Sequence, residues 1–167
     1  VRFEYEGLAR FFRAYFYFDK VRYYGDVPWV DRPLASDDQE LYKGRDSREF
    51  VMQKVIGDLD FAIANLPAEG GLPGAALALK SRACLFEGTF RKYHGLQGWE
   101  SYLEVCADAS KRFIDESGYA IYDSGTTPYL GLFSSLKAIN TEIVLARAYN
   151  TDIGLKHDVN GYLTSIT

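Results

Sequence analysis

Between Phe3 and Tyr24 the chain carries ten aromatic residues in twenty-two, and the run stops abruptly at Tyr24-Gly25-Asp26-Val27-Pro28. Read at helical spacing, Glu6, Arg10, Arg13 and Lys20 fall on one narrow stripe with Tyr17. Phe11, Phe12, Tyr15, Phe16, Phe18 and Tyr23 cover most of the remaining circumference. A helix with so little polar surface is expected to be wrapped by protein, as the spine between two layers. The run is too charged to span a membrane, because no window approaches the ~18 uninterrupted apolar residues required. The rings therefore read as core packing before they read as a platform for sugars or bases.

Downstream, the pattern places three more helices. Asp46 precedes Glu49 at capping-box spacing and predicts a second helix, with Met52, Val55, Ile56, Leu59, Ile63 and Leu66 as its apolar face and Pro67 closing it. Breakers from Glu69 to Gly74 deliver a third, whose face runs Leu79, Ala83, Phe86, Phe90 and Tyr93. A fourth begins at Trp99, presents Tyr102, Cys106, Ala109 and Phe113, and ends at Gly118. Beyond it the period changes. Ile143, Leu145 and Tyr149 alternate with smaller residues and read as a short strand, and the tail from Asn150 is polar and weakly specified.

A repeat test is met by the first pair of helices, whereas no proline closes the second, and a generic helical bundle also satisfies the pattern. Ala62 stands five residues before Pro67, as on the second helix of a tetratricopeptide unit of ~34 residues, and Leu8-Ala9-x-x-Phe12 fits the first helix. The expected fold is predominantly all-α, a tetratricopeptide-like right-handed stack of helical hairpins with a short strand or loop region at the C-terminal end. With 167 residues, 47% hydrophobic and 25% charged, residues 1–167 read as a single helical-repeat domain.

Several segments in order resemble the SusD/RagB family of nutrient-binding outer-membrane lipoproteins. Leu8 to Phe18 with Tyr24-Gly25-Asp26-Val27-Pro28 is similar to that family's signature helix and turn. Arg45 to Glu49 leading to Asp58-Leu59-Asp60-Phe61-Ala62-Ile63 and Leu66-Pro67 is similar to the second helix, and Gly74 to Ala83 to the start of the third. Trp99 to Ala109, Phe113-Ile114-Asp115 and Gly118-Tyr119 resemble the fourth, and Asn140 to Val144 the edge segment after it. The resemblance implies a fragment of a longer protein, held at the cell-surface side of the bacterial outer membrane by a lipid anchor absent from this chain. It implies binding of an oligosaccharide or other nutrient and delivery to a SusC-like TonB-dependent transporter, without catalysis and without a cofactor. The alternative reading is a tetratricopeptide-type protein-protein interaction module without sugar affinity.

For chemistry the chain offers little. A net charge of −4 with dispersed Lys and Arg disfavours nucleic acid. His94 and His157 read as surface histidines, and no nucleophile elbow or phosphate loop is present. Asp37-Asp38-Gln39-Glu40 reads as a solvated acidic loop, since it lacks the glycine and the closing glutamate of a calcium loop. Asp58 with Asp60, or Asp31 with Asp26, are carboxylate pairs of the kind a glycosidase uses, but Asp58 is placed on an outer helix face and Asp26 in a turn. Two ligand-binding candidates are named, Trp29 on its loop and Trp99 at a helix start. Each is able to present a ring to a pyranose, but anchoring of its loop is the preferred reading, since loop-flanking aromatics usually anchor. The resemblance implies that ligand contacts lie largely outside this stretch. Cys84 and Cys106 are read as core thiols or as a disulfide between neighbouring helices, and the sequence leaves both open.

Overall fold

In the computed structural model, which describes residues 2–67, 71–147, 149 and 154, the chain divides into two units, Val1–Gly118 and Tyr119–Thr167. The first contains α1 (Arg2–Tyr24), a 3-10 turn at Gln39–Tyr42, α2 (Arg48–Asn65), α3 (Leu72–Tyr93) and α4 (Trp99–Glu116). The second contains α5 (Pro128–Ser134).

The first unit is a stack of two helical hairpins, so the all-α, tetratricopeptide-like expectation holds. α1 packs along α2, α2 against α3, and α3 along α4. Phe11, Ala14, Phe18 and Val21 of α1 meet a face of α2 built on Val51, Met52, Val55, Leu59 and Ala62. Full burial of side chains this size stabilises by roughly 1.5–3 kcal/mol each. α3 is sandwiched and rich in small residues, with Ala75, Ala76, Ala83, Cys84 and Gly88 buried. Gly88 marks the closest approach to α4: a Cβ there would stand 2.7 Å from Leu103 Cδ2 and 3.2 Å from the Trp99 carbonyl oxygen. Tyr102, Cys106 and Ala109 close α4 onto α3.

Three sequence expectations change. Among the described residues α1 is not wrapped on all sides: Gly7, Phe11, Ala14, Phe18 and Val21 make one buried face, while Tyr5, Phe12, Phe16 and Tyr23 are exposed opposite it. Tyr93, placed on the apolar face of α3, stands exposed in the last turn before the Gly95 reversal. The start of α2 is capped by Ser47, whose Oγ accepts the Phe50 N–H at 3.3 Å, not by an Asp46–Glu49 box.

In the second unit, the extended residues 119–122 are tied to a turn at 139–144. Ala120 N–H donates to the Thr141 carbonyl at 2.8 Å and Tyr122 N–H to Glu142 Oε2 at 2.7 Å. Of the strand or loop foreseen here, the loop is what forms: the described residues from 143 onward are irregular, with a bend at 144–145 and no strand. Most of the polar tail, His157 included, lies outside the described residues.

Candidate functional site

The loop from Gly25 to Ser47 leaves α1 and returns to start α2, and its polar groups are spent on fastening that return. Val27 and Asp46 form an antiparallel bridge, with Asp46 N–H donating to the Val27 carbonyl at 3.2 Å. Asp46 Oδ2 accepts the Trp29 N–H at 2.6 Å and pairs with Lys43 at 3.0 Å. The backbone bond from Trp29, then the Lys43 ammonium, hold the Asp46 carboxyl below its ordinary range. Asp26 Oδ1 accepts the Arg48 N–H at 2.8 Å, placing a carboxylate at the α2 N-terminus, where unpaired amides and the helix dipole favour it.

Behind this joint lies a buried charge cluster. Glu87 of α3 is fully buried and receives two guanidiniums, Arg48 Nε at 2.8 Å and Arg91 Nε at 2.9 Å. Arg48 also donates to the Val21 carbonyl at 3.3 Å, which ties α1, α2 and α3 at one point. Its Nη2 has no hydrogen-bond partner among the described residues, but its guanidinium lies over the Phe90 ring at 3.7 Å, where the π face stands in for an acceptor. Arg91 Nη1 donates to the Gln97 carbonyl at 2.7 Å and Nη2 pairs with Glu49 at 3.2 Å. Burial opposes the Arg91 charge, yet Glu87 and Glu49 outweigh it and hold the guanidinium above its ordinary range.

An open cleft of about 390 Å³ sits over this cluster, lined by Asp26, Ser47, Glu49, Arg91 and Gln97 among others. Its lining carries two guanidiniums, Arg48 and Arg91, and two carboxylates, Asp26 and Glu49, with the buried Glu87 behind both arginines, so an anion gains nothing from the summed charge. The groups that remain, with donors and acceptors side by side, suit a neutral ligand rich in hydroxyls. The Gln97 side chain is exposed at the rim.

The two tryptophans differ. Trp29 is 6% exposed, its ring 4.3 Å from that of Tyr17 and 4.9 Å from the Arg13 guanidinium, so no face stands open for stacking. Trp99 is half-buried at the start of α4, two residues from Gln97, with Lys92 at 4.6 Å from its ring. The structure does not bring the two into one contact. His94 is exposed against Phe90. In the acidic loop, Asp38 pairs with Arg32 at 2.5 Å and caps the 3-10 turn, and no group of three or more metal-ligating side chains occurs among the described residues. Cys84 and Cys106 are buried free thiols, and burial pushes the Cys84 thiol up to about 12.

Asp58 corrects the outer-face reading. It is 3% exposed and accepts a fork from Arg13, Nε and Nη2 both at 2.7 Å, with Arg10 at 3.7 Å. Asp60 instead pairs across the layers with Lys80 at 2.6 Å. The sequence reading missed Glu87, Arg48 and Arg91. Only the Glu87–Arg91 spacing of four was visible in advance, and such a spacing is common on solvated helix faces.

No protein-family model matches the chain. A SusD-like protein of Formosa agariphila is 24% identical over 145 residues, covering 87% of this chain and 25% of that protein. The crystal structure of a SusD-like protein from Bacteroides fragilis superimposes with a TM-score of 0.68 at 28% identity, over 92% of this chain and 29% of that one. The chain thus spans about a quarter of the length of the curated relative it matches. No helix among the described residues is long and apolar enough to cross a membrane.

Proposed function

We propose that this chain, SusD-like in sequence and in fold, is the helical-repeat part of a cell-surface protein that binds a nutrient and passes it to a TonB-dependent outer-membrane transporter. The match to SusD-like proteins along nearly the whole chain, by sequence and by structure, carries this reading. The ligand class is an oligosaccharide, the protein is lipid-anchored on the outer face, and it acts without catalysis. The hydroxyl-suited cleft at Gln97 and Glu49, with Trp99 beside it in sequence, supports a saccharide contact within this stretch.

The test uses the complete gene product. Calorimetry against a panel of oligosaccharides should find one that binds and is recovered unhydrolysed, and affinity purification from outer membranes should bring down a transporter. Failure of both, or release of new reducing ends, overturns the reading. Trp99→Ala and Gln97→Ala are expected to weaken that binding about tenfold, some 1.4 kcal/mol, with little change in melting temperature. Trp29→Ala is expected to lower stability by roughly 3–5 kcal/mol. Unchanged affinity in the first two variants would remove the cleft from the ligand's path while leaving the family reading intact.

A further inference from the structure

In the cleft between the start of α2 and the α3–α4 turn, the cationic groups are turned inward and the anionic ones outward. The Arg91 side chain is 7% exposed, and each of its three guanidinium nitrogens already has a partner, in Glu87, the Gln97 carbonyl and Glu49. The Arg48 side chain is 12% exposed, donates to Glu87 and to the Val21 carbonyl, and lies over the Phe90 ring. Both guanidiniums are thus committed to the fold. The carboxylates are not. The Glu49 side chain is 57% exposed; its Oε2 meets Arg91 at 3.2 Å, but its Oε1 is reached among the described residues only by the Gln53 amide at 3.5 Å, the long limit of a hydrogen bond. Asp26 is exposed as well, and of its two oxygens Oδ1 alone is taken among the described residues, by the Arg48 N–H.

What the cleft has left for a ligand is therefore mainly acceptors. Ser47 and Gln97 add a hydroxyl and an amide, which donate as well as accept. A sugar hydroxyl is satisfied by either kind of partner, so hydroxyls alone do not use the surplus of acceptors. A primary ammonium does, because it brings three donors, no acceptor and a positive charge. With Glu87 counted, three carboxylates stand against two guanidiniums, so one positive charge on an otherwise neutral saccharide is admitted where a negative one is not. We propose that the cleft selects a saccharide unit bearing a free, protonated amine, with Glu49 and Asp26 accepting from the ammonium and the Gln97 side chain bonding a neighbouring hydroxyl. This rests on the saccharide reading above and narrows it to an amino sugar that is not N-acylated. Acylation removes the charge and leaves one donor where the acceptors call for three.

Calorimetry on the complete gene product tests it with sets of three oligosaccharides matched in length and linkage, which differ only in carrying an amine, an acetamide or a hydroxyl at the same ring carbon. In a set that binds, the amine form should bind about fivefold tighter than either of the others, the scale of one exposed charge pair. That ratio is read first in the unsubstituted protein, so misfolding of a variant does not decide the matter. Glu49→Gln should bring the ratio close to one. Glu100→Gln, at an exposed glutamate outside the cleft lining, should leave it unchanged and so separates the cleft from the chain's net charge of −4. Equal binding of the three forms, or a preference for the acetamide, overturns the amine assignment and leaves the saccharide reading standing. A preference that survives Glu49→Gln places the amine elsewhere and overturns the assignment to this cleft. Displacement of the amine form by a lysine-rich peptide at equal concentration overturns it too, since the cleft then belongs to a protein partner. Binding of no saccharide at all overturns both this proposal and the reading on which it rests.

Discussion

At the scale of single residues, charge pairs between helices carry specificity that apolar patterning lacks. Asp58 is enclosed by α1 and α2 and answered by the Arg13 fork, whose hydrogen bond to Asp58 raises the already high Arg13 value further. Removing one member of such a pair leaves the other charge without its counterion in a place water reaches poorly. Arg13 is a quarter exposed and recovers some hydration, so the cost sits at the lower end of the usual range. Asp58→Asn is expected to destabilise by about 3 kcal/mol in denaturant titration. Arg13→Met combined with Asp58→Leu should cost less than the sum of the two single changes, because no charge is then stranded. Additive losses would mean that the pair is not coupled. This contact could not be read in the sequence: forty-five residues separate Arg13 from Asp58, and helical periodicity placed Asp58 on the outer face because it counts polarity, not partners.

At the scale of elements, helix identity was legible and helix environment was not. The breakers at Gly25, Pro67, Gly98 and Gly118 bounded α1 to α4 closely, since backbone conformations near proline and at positive φ are local properties. Which face of α1 meets protein depends on what is stacked beside it, and an almost wholly aromatic circumference carries no signal to choose. The α3–α4 contact gives a sharp test, because Gly88 lies under Leu103. Gly88→Ala gains up to ~1 kcal/mol of helix propensity but forces a methyl against Leu103 Cγ and the Trp99 carbonyl. Overpacking costs about 1–3 kcal/mol, so a net loss of about 1 kcal/mol is expected in thermal unfolding, and a rise in melting temperature would show that the helices part freely. The loop joining α1 to α2 gives another. Asp46 is held below its ordinary value of 3.8, so its contribution is fully present above that value and is lost as pH falls through the depressed one. Asp46→Ala should therefore be less stable than the parent at pH 7, with the gap narrowing towards pH 2. A gap that stays constant across that range would remove the carboxylate from the loop's support.

At the scale of the whole chain, the core has a definite location. Every buried apolar side chain among the described residues falls between Phe11 and Ala109, and so do the buried charged groups Asp58, Lys80, Glu87 and Arg91. The second unit, by contrast, is held by hydrogen bonds from residues 119–122 to the backbone and the Glu142 side chain of the 139–144 turn, and α5 contains no buried residue. Cooperative unfolding follows shared buried surface, so the transition should belong to residues 1–118. A chain ending at Gly118 is expected to keep the helical circular-dichroism signal of α1 to α4 and a single sharp thermal transition within a few degrees of the longer chain. A chain ending at Pro67 lacks α3 and with it Glu87, leaving the Arg48 guanidinium unpaired and one side of Val51, Val55 and Leu59 bare. It is expected to lose the transition altogether, because two helices without a third layer bury too little to offset chain entropy. If the cut at Gly118 also abolishes the transition, the stability of the hairpin stack is supplied from beyond its own core. The repeat description, in which each layer is held by its neighbours, would then fail for this chain.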